Sequence, residues 1–369
     1  MRDYEILAHN LINNSVRLKK DEKVLVEYSD CGEDLLIALQ NEAFNVGAMP
    51  FFKNIDRELR RTTLERGSAK MFELMADFDE KLYSSMDAII LVKGEKNVFD
   101  YAYVPTKNKQ EFDRYYNNRI HMGIRLKKRW VLLRYPTPSF AQSSGMPTRD
   151  FNEYFYKVCN LDYKKLGKAM DGLKALMERT DKVRIVAPNT DLTFSIKGLP
   201  AIKCCGECNI PDGEIYTAPV KNSINGHINF NIPAMYSGVK HENIMLQFKD
   251  GKVIKATGTH EKELNEIINT DEGSCYVGEF SFGVNPYVTF SLNDILFDEK
   301  MGGSIHMALG CAYDDCFNGN KSIVHWDLIL NQMPNFGGGD IYFDGVKIRE
   351  NGKFILPELL ALNPENILK

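Results

Sequence analysis

The sequence predicts an α/β N-terminal domain with a mostly parallel sheet, followed by a β-rich α+β domain. Three observations predict it. Short apolar runs alternate with helix-period segments in the first half, as βαβ units require. One of those runs, Ala88-Ile-Ile-Leu-Val92, is continuously apolar, the mark of a strand covered on both faces. After residue 180 the pattern changes to short alternating strands separated by Gly, Asn, Asp and Pro turns. A chain of 369 residues exceeds the usual size of one hydrophobic core, so two domains are expected, residues 1–180 and 181–369.

Tyr4 to Leu18 carries Ile6, Leu7, Leu11, Ile12 and Val16 near helical spacing. Lys23–Tyr28 reads as a strand and Asp34–Phe44 as a helix ending before Gly47. Ala48–Phe52 is a second strand, with Pro50 arguing against a central position. Arg57–Leu82 reads as one long helix, Ala88–Val92 as a buried strand, Lys109–Tyr116 as a helix and Trp130–Tyr135 as another buried strand. Pro136–Pro147 is expected to be loop. Two helices follow, Asp150–Val158 and Tyr163–Arg179. Strands are expected at Val183–Ala187, Leu192–Ile196, Glu214–Thr217, Ile228–Ile232, Ile244–Phe248 and Lys252–Ala256. Asp250-Gly251 fits a tight hairpin turn, and His260–Asn269 a helix.

Composition narrows the function. The chain is 44% hydrophobic and 26% charged with a formal charge of −4, which argues against a nucleic-acid footprint. The short basic cluster Arg125-Leu-Lys127-Lys128-Arg129 reads as a solvated strand entry. No apolar run reaches membrane-span length, and the first residues lack a signal-peptide core, so a cytoplasmic protein is expected. Eight cysteines in such a chain point to thiols rather than disulfides. Cys204, Cys205 and Cys208 cluster, but no second Cys pair or nearby His completes four zinc ligands. No Walker motif or strand-linked GxGxxG is present, and Gly337-Gly338-Gly339 reads as a turn.

The chemistry concentrates in Gly302–Asp327. It holds two of the seven histidines, His306 and His325, and Asp327 follows His325 by two residues. In a strand, residues i and i+2 share a face, so His325 and Asp327 aim at one point while Trp326 faces away. Two imidazoles and a carboxylate are a divalent-metal set, although ordinary polar roles near a loop fit the spacing too. Glu214 follows the turn at Pro211-Asp-Gly213, and Glu279 sits inside an apolar stretch; a Glu is rarely buried without a partner or a metal. Taken alone, each suits a salt bridge as well as ligation. Five ligands are too many for one catalytic zinc and suit two divalent ions about 3.5–4 Å apart. His9, His121, His227, His241 and His260 are scattered and read as structural or solvent-facing.

These residues carry a resemblance. The chain is similar to the metalloaminopeptidase family of aminopeptidase T, aminopeptidase S and PepS over nearly its whole length. Leu11–Gly47 resembles that family's opening, and Thr190-Asp-Leu-Thr-Phe194 its TDLTF strand. Glu214-Ile-Tyr-Thr-Ala-Pro219, Gly278-Glu279, Leu296-Phe-Asp-Glu299 followed by His306-Met-Ala-Leu-Gly310 and Tyr313, and His325-Trp-Asp327 match its later motifs in order. The resemblance implies a dinuclear site of Glu214, Glu279, His306, His325 and Asp327 with Tyr313 alongside. It also implies a homodimeric aminopeptidase acting on short peptides, whose second domain is catalytic and whose first walls the site and supports dimerisation. Zn²⁺, Co²⁺ and Mn²⁺ all suit such ligands. Glu279 is a ligand, a general base or both. Tyr313 is a packed aromatic or a partner for the tetrahedral oxyanion. Asp298 and Glu299 are candidates to support His306. The chain departs from the family in its shorter first half, in Phe-Ser-Phe-Gly-Val-Asn-Pro after Glu279 and in Leu-Ile-Leu-Asn-Gln after Asp327. The alternative is a mononuclear non-haem Fe(II) ring-cleaving dioxygenase of the dihydroxypyridine type, using His306, His325 and Asp327 alone.

Overall fold

A computed structural model describes residues 1–369. Contacts divide the chain into two compact units, Met1–Leu161 with Gly206–Pro211, and Asp162–Cys205 with Asp212–Lys369.

The first unit is built on a five-stranded sheet. Its order is Met49–Asn54, Lys23–Ser29, Ala88–Lys93, Arg129–Arg134 and Asn209–Ile210, and every neighbouring pair is parallel. The strand carrying Pro50 is at the edge, where a missing N–H costs least. Ala88–Val92 is central and buried, whereas only Val131 and Leu133 of the fourth strand are fully buried. The unit's core includes Leu25, Phe72, Ile89 and Leu91, with Phe112 stacked on Tyr116 at 4.8 Å.

Several boundaries differ from expectation for local reasons. The predicted Arg57–Leu82 helix is two, Arg57–Arg66 and Ala69–Ser84. Ser68 caps the second by accepting from the Met71 N–H, and a Cβ at Gly67 would collide with the Thr63 carbonyl. The Pro136–Pro147 loop contains a helical turn, Pro138–Ser143, because Thr137 caps it with Pro138 in the first position. The helix expected at Lys109–Tyr116 starts at Thr106 and runs on through a wider π-type stretch, Asp113–Met122.

The second unit begins at Leu161/Asp162 rather than near residue 180. The Asp162 side chain caps Tyr163–Arg179 by accepting from the Lys165 N–H. That helix lies so close to the 357–362 turn that a Cβ at Gly172 would collide with the Glu358 carbonyl, so it packs as part of this unit. Three antiparallel sheets follow: a larger one, a smaller one and a two-stranded ribbon, Ala234–Tyr236 with Val239–His241. The larger has eight strands and includes Lys182–Ala187, Thr190–Ser195, Asp340–Phe343 and Val346–Glu350. Its Ile244–Lys249 and Lys252–Thr257 strands are joined at Asp250-Gly251, both at positive φ as a tight hairpin requires.

The smaller sheet has the order His325–Asn331, Ser304–Gly310, Val277–Gly283, Glu214–Thr217 and Ile202–Cys204. One face is apolar and packs on the larger sheet. Phe280 meets Phe194 at 4.9 Å, and Phe282 meets Phe343 at 6.1 Å and Phe354 at 5.9 Å. The buried Arg349 guanidinium lies 5.0 Å from the centre of the Phe282 ring and donates to Ser304 O and Gln332 Oε1. Because side chains alternate, the opposite face of the same strands carries Glu214, Glu279, His306, His325 and Asp327.

Candidate metal centre

Register builds the centre. Ser281 pairs with His306 and with Tyr216, Ala308 with both Glu279 and Asp327, and Gly310 with His325. A bulge between Val277 and Glu279, at Gly278, turns Glu279 toward the same face as His306. Gly283 pairs with Glu214, which adds a carboxylate from the next strand.

The side chains converge. His306 Nε2 is 3.3 Å from Glu279 Oε1 and 3.4 Å from Glu214 Oε2. His325 Nε2 is 3.4 Å from Glu279 Oε2 and 3.5 Å from Asp327 Oδ1. Glu279 therefore bridges the two histidines. The His325 ring is oriented by Nδ1, 2.9 Å from the Cys311 carbonyl, an arrangement that leaves Nε2 free to ligate. Tyr313 packs at a tilt against His325 at 4.7 Å and Tyr216 at 5.5 Å; Tyr216 in turn donates to Asp315. All five expected ligands are brought together, and Tyr313 stands beside them.

Electrostatics describe a site in need of cations. Burial disfavours charge on His306, but the hydrogen bond and charge of Glu279 and the charge of Glu214 outweigh it and raise its pKa to about 9. For His325 burial is likewise overcome by Asp327 and Glu279, to about 12. Asp327 would rise on burial alone, yet His325 and His306 pull it down to about 2. Desolvation, with the charges of Glu279 and Asp327, pushes the Tyr313 hydroxyl up, so it stays a proton donor.

His325 Nε2 and Asp327 Oδ1 are buried and make no hydrogen bond. A divalent ion fits this cluster because it would satisfy both atoms at once. Four groups of three residues have ligand atoms within 4.8 Å of one another: Glu214–Glu279–His306, Glu279–His325–Asp327, Glu299–His306–Asp327 and Cys204–Asp212–Glu214. The two histidines share a group with Glu279 or Glu299 but not with each other.

Three residues were missed or misplaced by sequence reasoning. Glu299 sits among the ligands rather than behind them, and burial raises its pKa to about 8 even with Lys300 adjacent. Asp298 does not support His306; its carboxylate accepts from Ser291 Oγ and the Leu292 N–H and closes the 291–298 loop. Lys300 is fully buried, 2.5 Å from Glu214 and 2.6 Å from Glu299. The sequence shows only the pair Glu299-Lys300 just before the Gly302-Gly303 turn into the His306 strand, which does not set a buried ion pair apart from a solvated one. Cys204 lies by Asp212 and Glu214, and burial with the Glu214 charge keeps it a thiol. All eight cysteines are free.

Comparison with known proteins places this architecture. Aminopeptidase AmpS of Bacillus subtilis is 29% identical over 43% of the chain, and aminopeptidase PepS of Streptococcus thermophilus 32% over 46%. These matches span 44% and 48% of the relatives' own lengths, so the chain spans about half of each. Aminopeptidase T of Thermus thermophilus is 23% identical over 96% of the chain and 99% of its own length. The solved structure of wild-type AmpT from Thermus thermophilus superposes with a TM-score of 0.80 at 19% identity, covering 96% of this chain and 99% of that one. The 2,5-dihydroxypyridine dioxygenase of Pseudomonas putida KT2440 superposes at 0.60 and 13% identity, covering 97% and 98%. Both likenesses are of fold alone and leave the two chemistries equally open. The family model described as thermophilic metalloprotease (M29) matches residues 2–354, and the chain belongs to that family of hydrolases.

Proposed function

We propose that this protein is a metal-dependent aminopeptidase that hydrolyses N-terminal residues from short peptides. The observation that carries the reading is Glu279, buried between His306 and His325 with one oxygen toward each. A carboxylate so placed serves a hydrolytic centre both as a bridge and as a proton carrier. Family membership and the names of its relatives support the same chemistry.

Glu214, Glu279, His306, His325 and Asp327 would hold up to two divalent ions, Zn²⁺, Co²⁺ or Mn²⁺, because two acid–histidine groups share Glu279. Bound there, divalent ions lower the pKa of the attacking water and polarise the scissile carbonyl. The protein's own groups do the rest. Glu279 takes the proton from water and delivers it to the leaving amine. Tyr313, kept protonated and 45% exposed, donates to the developing oxyanion.

No helix is long and apolar enough to cross a membrane. A homodimer remains part of the reading, resting on the resemblance. The dioxygenase alternative needs His306, His325 and Asp327 around one iron. The separate grouping of the two histidines, each with a glutamate, weighs against it. The test is peptide hydrolysis by metal-stripped protein after Zn²⁺, Co²⁺ or Mn²⁺ is restored, with free leucine from a leucyl-peptide as the expected product. O₂ uptake on a dihydroxypyridine with bound iron, and no hydrolysis, would overturn it.

A further inference from the structure

Lys300 does not fit a simple two-ion centre. Its side chain is 0% exposed. Its ammonium has three carboxylate neighbours: Glu214 Oε1 at 2.5 Å, Glu299 Oε1 at 2.6 Å and Asp212 Oδ1 at 3.8 Å. With no exposed surface, it has no route to a substrate carbonyl and is not a catalytic group. Its backbone is pinned at both ends. The Lys300 N–H donates to Phe297 O at 3.0 Å, and Lys300 O accepts from the Asn285 N–H at 2.9 Å. Asn285 is itself fixed, donating through Nδ2 to Asp212 O at 2.8 Å. The ammonium is thus built in rather than a mobile arm.

Its position divides the centre. At one end, Glu214 and Glu299 each have an oxygen in contact with a cation the chain already supplies. At the other, His325 Nε2 and Asp327 Oδ1 are buried without a hydrogen bond. The unmet demand for a cation lies at the second end. An ion placed on Glu214 would face a positive charge a few ångströms away in a water-poor interior, where like charges repel strongly.

We propose that the Lys300 ammonium takes the place of a second metal ion at the Glu214–Glu299 end, so that this chain holds one divalent ion, at Glu279, His325 and Asp327. The inference rests on reading the cluster as a metal centre and deepens it: the buried lysine sets the stoichiometry. Glu214 then positions Lys300 and braces His306 instead of binding metal.

The experiment counts ions, independently of activity. Metal-stripped protein is titrated with Zn²⁺ and with Mn²⁺, and ions per chain are read by native mass spectrometry and by elemental analysis after gel filtration. One ion is expected in the native chain and two in Lys300→Met, whose removal of the ammonium frees Glu214 and Glu299. Two ions in the native chain would overturn the proposal, and so would a single ion in a folded Lys300→Met. Should circular dichroism find Lys300→Met unfolded, Glu214→Gln decides: the native single ion is retained if Glu214 serves Lys300, and its loss overturns the inference. Failure of the peptide assay with one ion bound would reject the aminopeptidase reading alone. Hydrolysis with two ions bound would reject only the role of Lys300.

Discussion

At the scale of single residues, the histidines make metal loading a proton-coupled event. Imidazole ligates only when neutral. In the metal-free protein His306 titrates at about 9 and His325 at about 12, so both carry protons at pH 7. The proton on a ring must leave when an ion binds there. Affinity should therefore rise with pH through neutrality, by roughly 10-fold per unit for the one proton displaced by an ion. Calorimetry in buffers of different ionisation enthalpy should find about one proton released per ion at pH 7; release of none would show that the histidines do not ligate. Tyr313 offers a separate test. Tyr313→Phe keeps the ring against His325 but removes the donor, so kcat should fall by about 10²-fold while metal content stays unchanged. A parallel loss of metal would make Tyr313 a ligand instead. His306, His325, Asp327 and both glutamates were legible in the sequence because strand alternation and motif order mark them. Lys300 was not, because nothing in a Glu-Lys dipeptide distinguishes a buried ion pair from a solvated one; only the convergence of Asp212, Glu214 and Glu299 does.

At the scale of elements, the bulged Val277–Gly283 strand is the piece that assembles the centre. Gly278 lies where a Cβ would collide with the Cys311 carbonyl, the same carbonyl that orients His325. Gly278→Ala should thus disturb Glu279 and His325 together. Expected are a destabilisation of about 1–3 kcal/mol and a rate loss of about 100-fold, read by denaturant melts and by peptide hydrolysis. Retention of full activity would mean that the strand yields without moving either ligand. Element type was mostly readable from periodicity, and the parallel first sheet and β-rich second half both emerged as expected. What escaped were decisions made by one side chain or by distant pairing. Ser68 and Thr137 start helices through single hydroxyl caps inside segments whose wider pattern pointed elsewhere. The two-residue strand Asn209–Ile210 is defined only by its partners Leu132 and Leu133.

At the scale of the molecule, acid sensitivity should belong to the first unit through His121. Desolvation, aided by Arg125, Lys93 and Arg60 and opposed by Glu27, lowers its pKa from 6.5 to about 4. Its ring packs against the rings of Tyr83 and Tyr116. A depressed folded-state pKa means that the unfolded chain binds the proton more readily. Stability is then complete above about pH 6.5 and declines as pH falls toward 4, by at most about 3 kcal/mol. His121→Phe should flatten that decline in urea melts between these pH values; an unchanged slope would assign it to other groups.

The return of Gly206–Pro211 to the first sheet has a practical consequence. A fragment ending at Leu161 lacks the strand that covers Leu132 and Leu133, and so presents a raw sheet edge open to pairing with other chains. A fragment starting at Asp162 would carry that strand with nothing to pair it. The two units are interlaced along the chain, and neither can be inherited, swapped or expressed by a single cut.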